Sequence, residues 1–248
     1  VSINNIDTFN SIEDLLEFGA KIAKSKLTPL KTAEDVMTAV LMGRDLGIKT
    51  MVAVNNIYPI EGKASCGIHI INALLLKAGV TWEVIEDYTP LYDYIDSNKV
   101  NYNQQDIDMN PDGFQRVSAT TPKEALIQGK TYIIRSKNAV DYRTTLIFRR
   151  MIAQPNGEYR ELTIKVSRTI NQFESLLKKS NWVNNPQTML MNRIKSIGGR
   201  EVGDDVLLGM YETSELADAH NIPYEVDAEG NAKVKTENIS HEEIKQEA

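Results

Sequence analysis

The sequence predicts an α+β domain that combines a twisted antiparallel β-sheet with packed helices, a helical amino-terminal part and a disordered acidic carboxy-terminal tail. Two amphipathic segments near the amino terminus, residues 11–25 and 32–46, have the apolar spacing of helices. Residues 142–168 hold two alternating segments on either side of residues 154–158, which is typical of a β-hairpin. From about Pro223 the chain is polar and acidic without periodicity, which favours disorder.

The two amino-terminal helices carry their own end signals. Ser11 can cap the first helix, with Asp14 three residues further on. Thr32 can cap the second helix in the same way. We expect Gly47 to end the second helix at the C′ position, where glycine tolerates a positive φ.

Extended and helical patterns alternate after the second helix. The β-branched and aromatic residues from Met51 to Ser65 predict two short strands, joined by a turn at Glu61-Gly62-Lys63. Residues 67–78 are strongly apolar and predict a helix that ends at Gly79. Thr81 to Ile85 predicts a strand.

Residues 88–130 have the weakest pattern in the chain. Tyr, Asn, Asp and Pro dominate from Tyr88 to Asp112, so we expect a long loop or insertion there. Thr121 and Pro122 form an N-cap and N1 pair that predicts a short helix over residues 121–128. Thr131 to Ile134 predicts a short strand.

The hairpin is expected to place apolar and polar side chains on opposite faces. On its first strand Leu146 and Phe148 alternate with Arg149, and on its second strand Lys165 lies between apolar neighbours. Both apolar rows share a face if Arg149 pairs opposite Lys165, which requires an odd-length loop or a bulge. Arg150 interrupts the apolar row and is expected near its edge.

Two further helices are expected after the hairpin. Residues 169–180 predict a helix that buries Ile170, Phe173 and Leu177. Asn185-Pro186 predicts the start of a second helix that ends at Gly198-Gly199, with Leu190, Ile194 and Ile197 in one stripe and Arg193 and Lys195 outside it.

The charge of the chain is strongly segregated, although its net charge of −6 alone argues against a nucleic-acid partner. Residues 141–200 contain eleven basic and four acidic side chains, a net charge of +7. Residues 201–248 carry −10. Because a phosphate backbone responds to local potential, the basic segment indicates a polyanion-binding surface. A solvated surface on which charges happen to cluster is the alternative.

Catalytic patterns are missing from the sequence. There is no Gly-x-x-x-x-Gly-Lys-Ser/Thr loop for ATP, and the three histidines are scattered. His69 lies in an apolar stretch that favours a core histidine, and the single cysteine, Cys66, favours a buried structural thiol. The pair Asp204-Asp205 favours solvated surface acids over a metal site. We therefore expect no enzyme, no catalytic residue, no metal and no cofactor.

The chain also lacks the patterns of membrane and secreted proteins. It has no run of eighteen apolar residues, no apolar segment of a secretory signal and no cysteine pair for a disulfide. We expect a cytoplasmic protein.

Nucleic-acid binding is the function that suits the basic segment. Lys and Arg neutralise phosphates, and an aromatic ring that stacks on a base adds roughly 1–3 kcal/mol in single-strand binders. Tyr142, Tyr159 and Trp182 are the candidate stacking residues, although each is more often a core or interface residue.

Two regions resemble the phage single-strand annealing recombinases of the RecT and Red-beta type, within the Rad52-like annealing superfamily. The first contains Leu46-Gly47-Ile48, Met51, the stretch Ile57-Tyr58-Pro59-Ile60-Glu61-Gly62-Lys63-Ala64, and Asn72-Ala73-Leu74-Leu75 to Gly79. The second contains Trp182, Pro186, Met189-Leu190, Arg193, Val206-Leu207-Leu208-Gly209-Met210-Tyr211 and Glu215. Together they bracket residues 46–215.

The resemblance implies a curved antiparallel sheet with packed helices and an oligomeric ring or helical filament on DNA. It also implies ATP-independent annealing of complementary strands in phage homologous recombination, in the bacterial host cytoplasm, often beside a phage exonuclease. A host single-strand binding protein is a further possible partner of the acidic tail. Residues 1–222 are then the DNA-binding, annealing and oligomerisation domain, and residues 223–248 the flexible tail.

The resemblance makes Lys63 and Arg193 candidate DNA contacts beside the basic segment. The full set of candidate contacts is Lys63, Arg143, Arg149, Arg150, Lys165, Arg168, Lys178, Lys179, Trp182, Arg193, Lys195 and Arg200. Two other functions stay open: a metal-dependent phage nuclease, and a phage interaction or structural protein that does not bind DNA.

Overall fold

The computed structural model describes residues 9, 11–25, 27–99, 114–118, 124–127 and 130–235. This part of the chain is a mixed α/β structure with a curled antiparallel sheet, in agreement with the predicted class. It divides into two compact units. Unit 1 takes its residues from 1–81, 148–164 and 195–248, and unit 2 takes its residues from 82–147 and 165–194.

The helices and strands are numbered here in chain order. The helices are α1 (Ile12–Lys24), α2 (Ala33–Asp45), α3 (Thr50–Asn56), α4 (Ile68–Lys77), α5 (Ser180–Asn184), α6 (Pro186–Leu207) and α7 (Thr213–His220). The strands are β1 (Ile57–Ile60), β2 (Lys63–Cys66), β3 (Thr81–Asp96), β4 (Phe114–Ser118), β5 (Glu124–Ile127), β6 (Lys130–Ile134), β7 (Asp141–Ala153), β8 (Tyr159–Thr169), β9 (Tyr211–Glu212), β10 (Tyr224–Val226) and β11 (Ala232–Val234). Short 3-10 segments cover Ser97–Lys99 and Ile170–Leu176.

Unit 1 packs helices around a small mixed sheet. Strand β1 pairs antiparallel with β2, and β2 pairs in parallel with β9, which places Ser65 opposite Tyr211. Apolar side chains of α2, α3 and α4 fill the core, among them Val40, Val54 and Ile71, all fully buried. Burying these side chains is the main stabilising contribution to the unit, at about 25 cal/mol per Å² of apolar surface.

Unit 2 contains most of the larger sheet, whose strand order is β5-β6-β3-β7-β8, with β4 also paired to β3. The parts of β7 and β8 that belong to this unit are residues 141–147 and 165–169. The buried side chains of the unit include Tyr94, Leu146 and Leu190.

The predictions that rest on local end signals are confirmed. The Ser11 and Thr32 hydroxyls each accept a hydrogen bond from the backbone N–H three residues on, at Asp14 and Asp35. Gly47 follows α2 with a positive φ. The turn between β1 and β2, the helix before Gly79, the strands at residues 81 and 131, the hairpin and the start of α6 are also as predicted.

Three predictions in the central part of the chain are wrong. Residues 51–56 belong to helix α3, because Ala53 and Val54 are buried, with Val54 C=O held by the Thr28 hydroxyl. Residues 88–96 continue strand β3 instead of forming a loop, since β4 and β6 supply backbone partners there. Residues 124–127 form strand β5 against β6, where a helix was predicted. Residues 97–99 of the predicted loop form a 3-10 segment, and the rest of that loop, together with Thr121 and Pro122, lies outside the described residues.

Two predicted helices differ in form from the structure. Residues 170–176 form a 3-10 segment in which Ile170 is buried but Phe173 is only half-buried. Helix α6 continues through Gly198-Gly199 to Leu207, with a kink at Gly203. Glycine is unfavourable in a helix by about 1 kcal/mol, but close packing overrides this preference here, because a side chain at Gly198 would overlap Phe148.

The predicted flexible tail does not begin at Pro223. Strands β10 and β11 form an antiparallel hairpin in which Tyr224 pairs with Val234. Tyr224, Ala232 and Val234 are buried, and the Tyr224 hydroxyl donates to the buried carboxylate of Asp218. Residues 236–248, the remainder of the predicted tail, lie outside the described residues.

Candidate nucleic-acid interface

The hairpin β7–β8 has the alternation that the sequence predicts, but a different register. Gln154 N–H donates to Glu158 C=O, and the hydroxyls of Thr145 and Ser167 are 2.8 Å apart. Both contacts belong to one register, which places Thr163 opposite Arg149 and Ile147 opposite Lys165. The predicted pairing of Arg149 with Lys165 is therefore wrong by two residues. The loop has five residues, an odd number, so each residue still faces the predicted side.

Three of the predicted contact residues are arginines held by carboxylates in bidentate pairs. In unit 2, Arg143 donates to both oxygens of Glu86, with Nε 2.6 Å from Oε2. In unit 1, Arg150 donates to both oxygens of Asp205. Bidentate pairs of this kind are the strong form of an ion pair. These guanidinium groups are largely neutralised within the protein.

The third pair joins Arg200 to Glu215 in unit 1. The two guanidinium nitrogens donate to the two carboxylate oxygens, at 2.7 and 2.8 Å. The guanidinium also lies over the ring of Tyr211, with 4.9 Å to the centroid, and the Lys63 ammonium lies 5.4 Å from the same centroid. Lys63 is exposed at the turn that the sequence predicts. One tyrosine therefore contacts two cations of the predicted set.

Two further predicted contacts are buried in unit 2. Trp182 is 1% exposed, and its ring packs against Phe173 at a centroid distance of 5.3 Å. Arg193 is 7% exposed, and its guanidinium carbon lies 5.8 Å from the centroid of the Trp182 ring. In this structure the Trp182 ring has no exposed face on which a base could stack. The prediction that Arg193 lies outside the apolar side of its helix is wrong, because aromatic rings of unit 2 hold the cation.

The remaining predicted cations keep contact with solvent. In unit 2 these are Lys165, Arg168, Lys178 and Lys179, and in unit 1 they are Lys63, Arg149 and Lys195. Among the described residues, none forms an ion pair with Lys165, Arg168 or Lys178. Arg168 donates one hydrogen bond, to Ser167 C=O. Lys165, Arg168 and Lys178 therefore form a run of available positive charge within the described residues of unit 2.

Two tyrosines of the hairpin strands differ in how far their rings are open to stacking by a base. Tyr159 at the start of β8 is 69% exposed. Tyr142 is stacked on Tyr88, with centroids 4.3 Å apart and an interplanar angle of 7°. A base could stack on Tyr159 without any change in the protein, whereas one face of Tyr142 is already occupied.

The carboxylates that pair with the arginines were not predicted. Glu86 and Arg143 are 57 residues apart, and Arg150 and Asp205 are 55 residues apart. No local spacing indicates such pairs, because strand pairing and helix packing bring the partners together. Pairing also explains why Arg150, inside the predicted apolar row, lies half-buried beside helix α6.

Ion pairing changes the titration of both partners. The hydrogen bonds from Arg143 lower the pKa of the Glu86 carboxyl below its ordinary value. The hydrogen bonds from Arg150 lower the pKa of Asp205 in the same way. A carboxyl with a depressed folded-state pKa stabilises the fold above its unfolded-state pKa, and this contribution is lost as the pH falls through the folded-state pKa.

We expect the Glu86→Gln variant to lose part of the acid sensitivity of the wild-type protein. Stability at neutral pH should fall, because the charge-assisted bonds to Arg143 become neutral ones. The difference in unfolding midpoint between variant and wild type should narrow as the pH is lowered from about 6 to well below 4.5, the ordinary carboxyl pKa, because Glu86 takes up a proton in the wild type only below that value. Urea unfolding midpoints measured across this range check the prediction, with Glu161→Gln, an exposed carboxylate of β8, as the control. A gap that stays constant with pH would contradict it.

The described residues offer few groups that could bind a metal ion or act in catalysis. They contain no cluster of three His, Cys, Asp or Glu side chains that could hold a metal ion. Cys66 is buried as predicted, and burial raises the pKa of its thiol. His69 is exposed, contrary to the prediction of a core histidine, and its ring nitrogens lie 2.5 and 2.9 Å from the amide oxygens of Asn231 and Asn56.

No helix in the described ranges is long and apolar enough to cross a membrane.

Comparison with known proteins adds no relative: no protein-family model, no curated protein and no solved structure matches the chain.

Proposed function

We propose that the protein binds single-stranded DNA and anneals complementary strands without ATP, as an oligomer that acts in phage homologous recombination. The observation that carries the proposal is the run of solvent-accessible cations Lys165, Arg168 and Lys178, within which Glu174 is the only acid. The resemblance of residues 46–215 to the RecT and Red-beta type supports it. A surface with unpaired cations attracts a polyanion more strongly than one whose cations already hold carboxylates.

The proposed mechanism is electrostatic and geometric. Lys165, Arg168 and Lys178 hold the phosphates of a first strand, so its base edges stay exposed to solvent. Tyr159, in unit 1, offers a separate exposed ring on which a base can stack whatever its sequence, because every base has a π-face. A complementary strand then pairs with the held strand, and no step requires ATP. Protomers that associate side by side extend the track for the phosphates.

The proposal includes partners and a location that follow from the resemblance alone. A phage exonuclease supplies single strands, and a host single-strand binding protein is a further partner of the acidic tail. The site of action is the cytoplasm of the bacterial host. The protein acts as a binding and annealing factor, not as an enzyme.

Annealing of two complementary fluorescent oligonucleotides by the purified protein, without ATP and across a salt series, tests the proposal. We expect faster annealing than in protein-free controls, an effect that weakens as salt rises, and intact strands afterwards. Loss of full-length DNA that depends on a divalent metal would instead indicate a nuclease. Absence of binding to either strand at low salt would indicate a protein that interacts with another partner.

A triple variant with Lys165→Gln, Arg168→Gln and Lys178→Gln tests the surface itself. If each side chain neutralises a phosphate, the slope of log affinity against log salt should fall in magnitude by about two, since each contact contributes about 0.7 on single strands. Anisotropy titrations at several salt concentrations measure this slope. The matched control replaces the exposed Lys49, Lys77 and Lys137 by Gln and should keep the wild-type slope. Equal slopes for the triple variant and the wild type would remove this surface from the proposal.

A further inference from the structure

Unit 1 has an open apolar groove with an acidic rim. The groove has a volume of about 390 Å³ and lies between the end of the β7–β8 hairpin and helix α6. Met151, Ile152 and Leu162 line the hairpin side, and Met151 is 55% exposed. Val202 contributes to the helix side. Exposed apolar surface of this kind, next to charged residues, marks a contact site for another molecule.

The acids on the rim differ in what they can offer a partner. Asp205 is committed to Arg150 through the bidentate pair. Glu201 and Asp204 are exposed, and neither has an ion pair in the described ranges. The groove therefore presents two available negative charges beside an apolar floor, and a fitting partner carries an apolar side chain flanked by cations.

The loop between α1 and α2, also in unit 1, has this complementary chemistry. Leu27 is 62% exposed, a large fraction for a leucine. Lys24 and Lys31 on either side of it are exposed, and neither forms an ion pair with a described residue. Lys21 is also exposed but is paired with Glu17. Among the described residues, the loop and the end of α1 thus offer one exposed apolar side chain and two available positive charges.

Hydrogen bonds anchor the residues that follow the exposed Leu27. The hydroxyl of Thr28 donates to Val54 C=O, and the N–H of Leu30 donates to the Thr28 hydroxyl. Thr28 and Leu30 are both buried. Leu27 N–H donates to the Ser25 hydroxyl at 3.3 Å. The anchored residues that follow Leu27 reduce the conformational entropy that this side chain loses when it binds.

We propose that the Leu27 loop of one copy of the chain docks into the Met151–Asp205 groove of a second copy. Leu27 contacts the apolar floor, while Lys24 and Lys31 face Glu201 and Asp204. The two surfaces are different, so the contact is heterologous and each added copy exposes a new groove or a new loop. Repetition builds a ring or an open filament, according to whether the rotation closes. The inference rests on the self-association part of the proposed function and not on its DNA-binding part.

A charge exchange between two variants tests this contact in the absence of DNA. The loop variant carries Lys24→Glu and Lys31→Glu, and the groove variant carries Glu201→Lys and Asp204→Lys. We expect each variant alone to self-associate at least about tenfold more weakly than the wild type, because like charges then face each other. An equimolar mixture should regain assembly, since each variant complements the other. Sedimentation velocity over a concentration series measures all three samples.

Two further variants separate this contact from a general effect of charge. Asp45→Lys with Glu229→Lys changes the net charge as much as the groove variant does, at exposed positions outside both surfaces and outside the proposed DNA surface, and should assemble as the wild type does. Leu27→Ala leaves the charge unchanged and should weaken assembly about tenfold through lost apolar burial. Circular dichroism confirms that each variant is folded.

Three outcomes would overturn the inference: a wild-type protein that stays monomeric without DNA, single variants that assemble as the wild type does, or a mixture that stays dissociated. Oligonucleotide binding by the same variants is measured separately. Its loss in all samples, including the wild type, would count against the proposed DNA function and leave the loop–groove contact to be judged by sedimentation alone.

Discussion

Replacing Trp182 by alanine is expected to lower the free energy of unfolding by about 3–5 kcal/mol, the usual range for a buried Trp. The indole is almost fully buried in unit 2, in contact with the ring of Phe173 and below the guanidinium of Arg193. Its removal leaves a cavity and takes an aromatic partner from a buried cation. The effect should be large, because both consequences act on the same cluster.

Urea unfolding followed by far-UV circular dichroism measures the loss. Trp182→Phe keeps a ring beside Arg193 and should lose clearly less stability than Trp182→Ala. Tyr159→Ala, at an exposed position, should change stability by no more than about 0.5 kcal/mol. The opposite result, normal stability of Trp182→Ala with single-strand binding weakened by about 1–3 kcal/mol, would show that the ring stacks on bases.

Replacing Gly198 by valine is expected to destabilise the protein by about 3 kcal/mol, at the upper end of overpacking effects. Gly198 lies in the middle of helix α6, and a Cβ atom there would overlap the ring of Phe148. Phe148 is fully buried, so its ring cannot move aside into solvent. The expected loss exceeds what the change in helix propensity, which is well below 1 kcal/mol, could offset.

A double-mutant cycle identifies the cause of the loss. Gly198→Ala combined with Phe148→Leu should be more stable than the sum of the two single effects, because the smaller side chain makes room for the new methyl group. Glu201→Ala, at an exposed position of the same helix, should be nearly neutral. Additive single effects in the cycle would contradict the proposed overlap.

The parts of the fold that the sequence predicts correctly carry their signals locally. Ser11 and Thr32 cap their helices with their own side chains, and residues 154–158 form the loop of the hairpin. Strand β3 was predicted only as far as Ile85, because residues 88–96 become a strand through pairing with β4 and β6. Helix α6 passes Gly198 because Phe148, fifty residues earlier in the chain, packs against it. Partners of this kind are not visible in a local window.

In the candidate site, too, features with local sequence signals were predicted and features that depend on distant partners were not. The alternation of polar and apolar residues in the hairpin is a local property, and the side on which Lys165 lies was predicted correctly. Glu86 and Asp205, which hold Arg143 and Arg150, come from distant segments. A count of basic residues therefore overstates the charge that a polyanion meets, because a count cannot separate paired from available cations.

The parallel pairing of β2 with β9 has a consequence for synthesis on the ribosome. Strand β1 supplies one partner for Ser65 and Cys66, but their second partners, Tyr211 and Glu212, lie nearly 150 residues later. Helices α1 to α4 therefore leave the ribosome long before the strand that completes their sheet has been made. Contacts of such large sequence separation form slowly, and apolar surface that waits for its partner favours aggregation. For unit 1, translation sets the earliest moment at which the native fold can form.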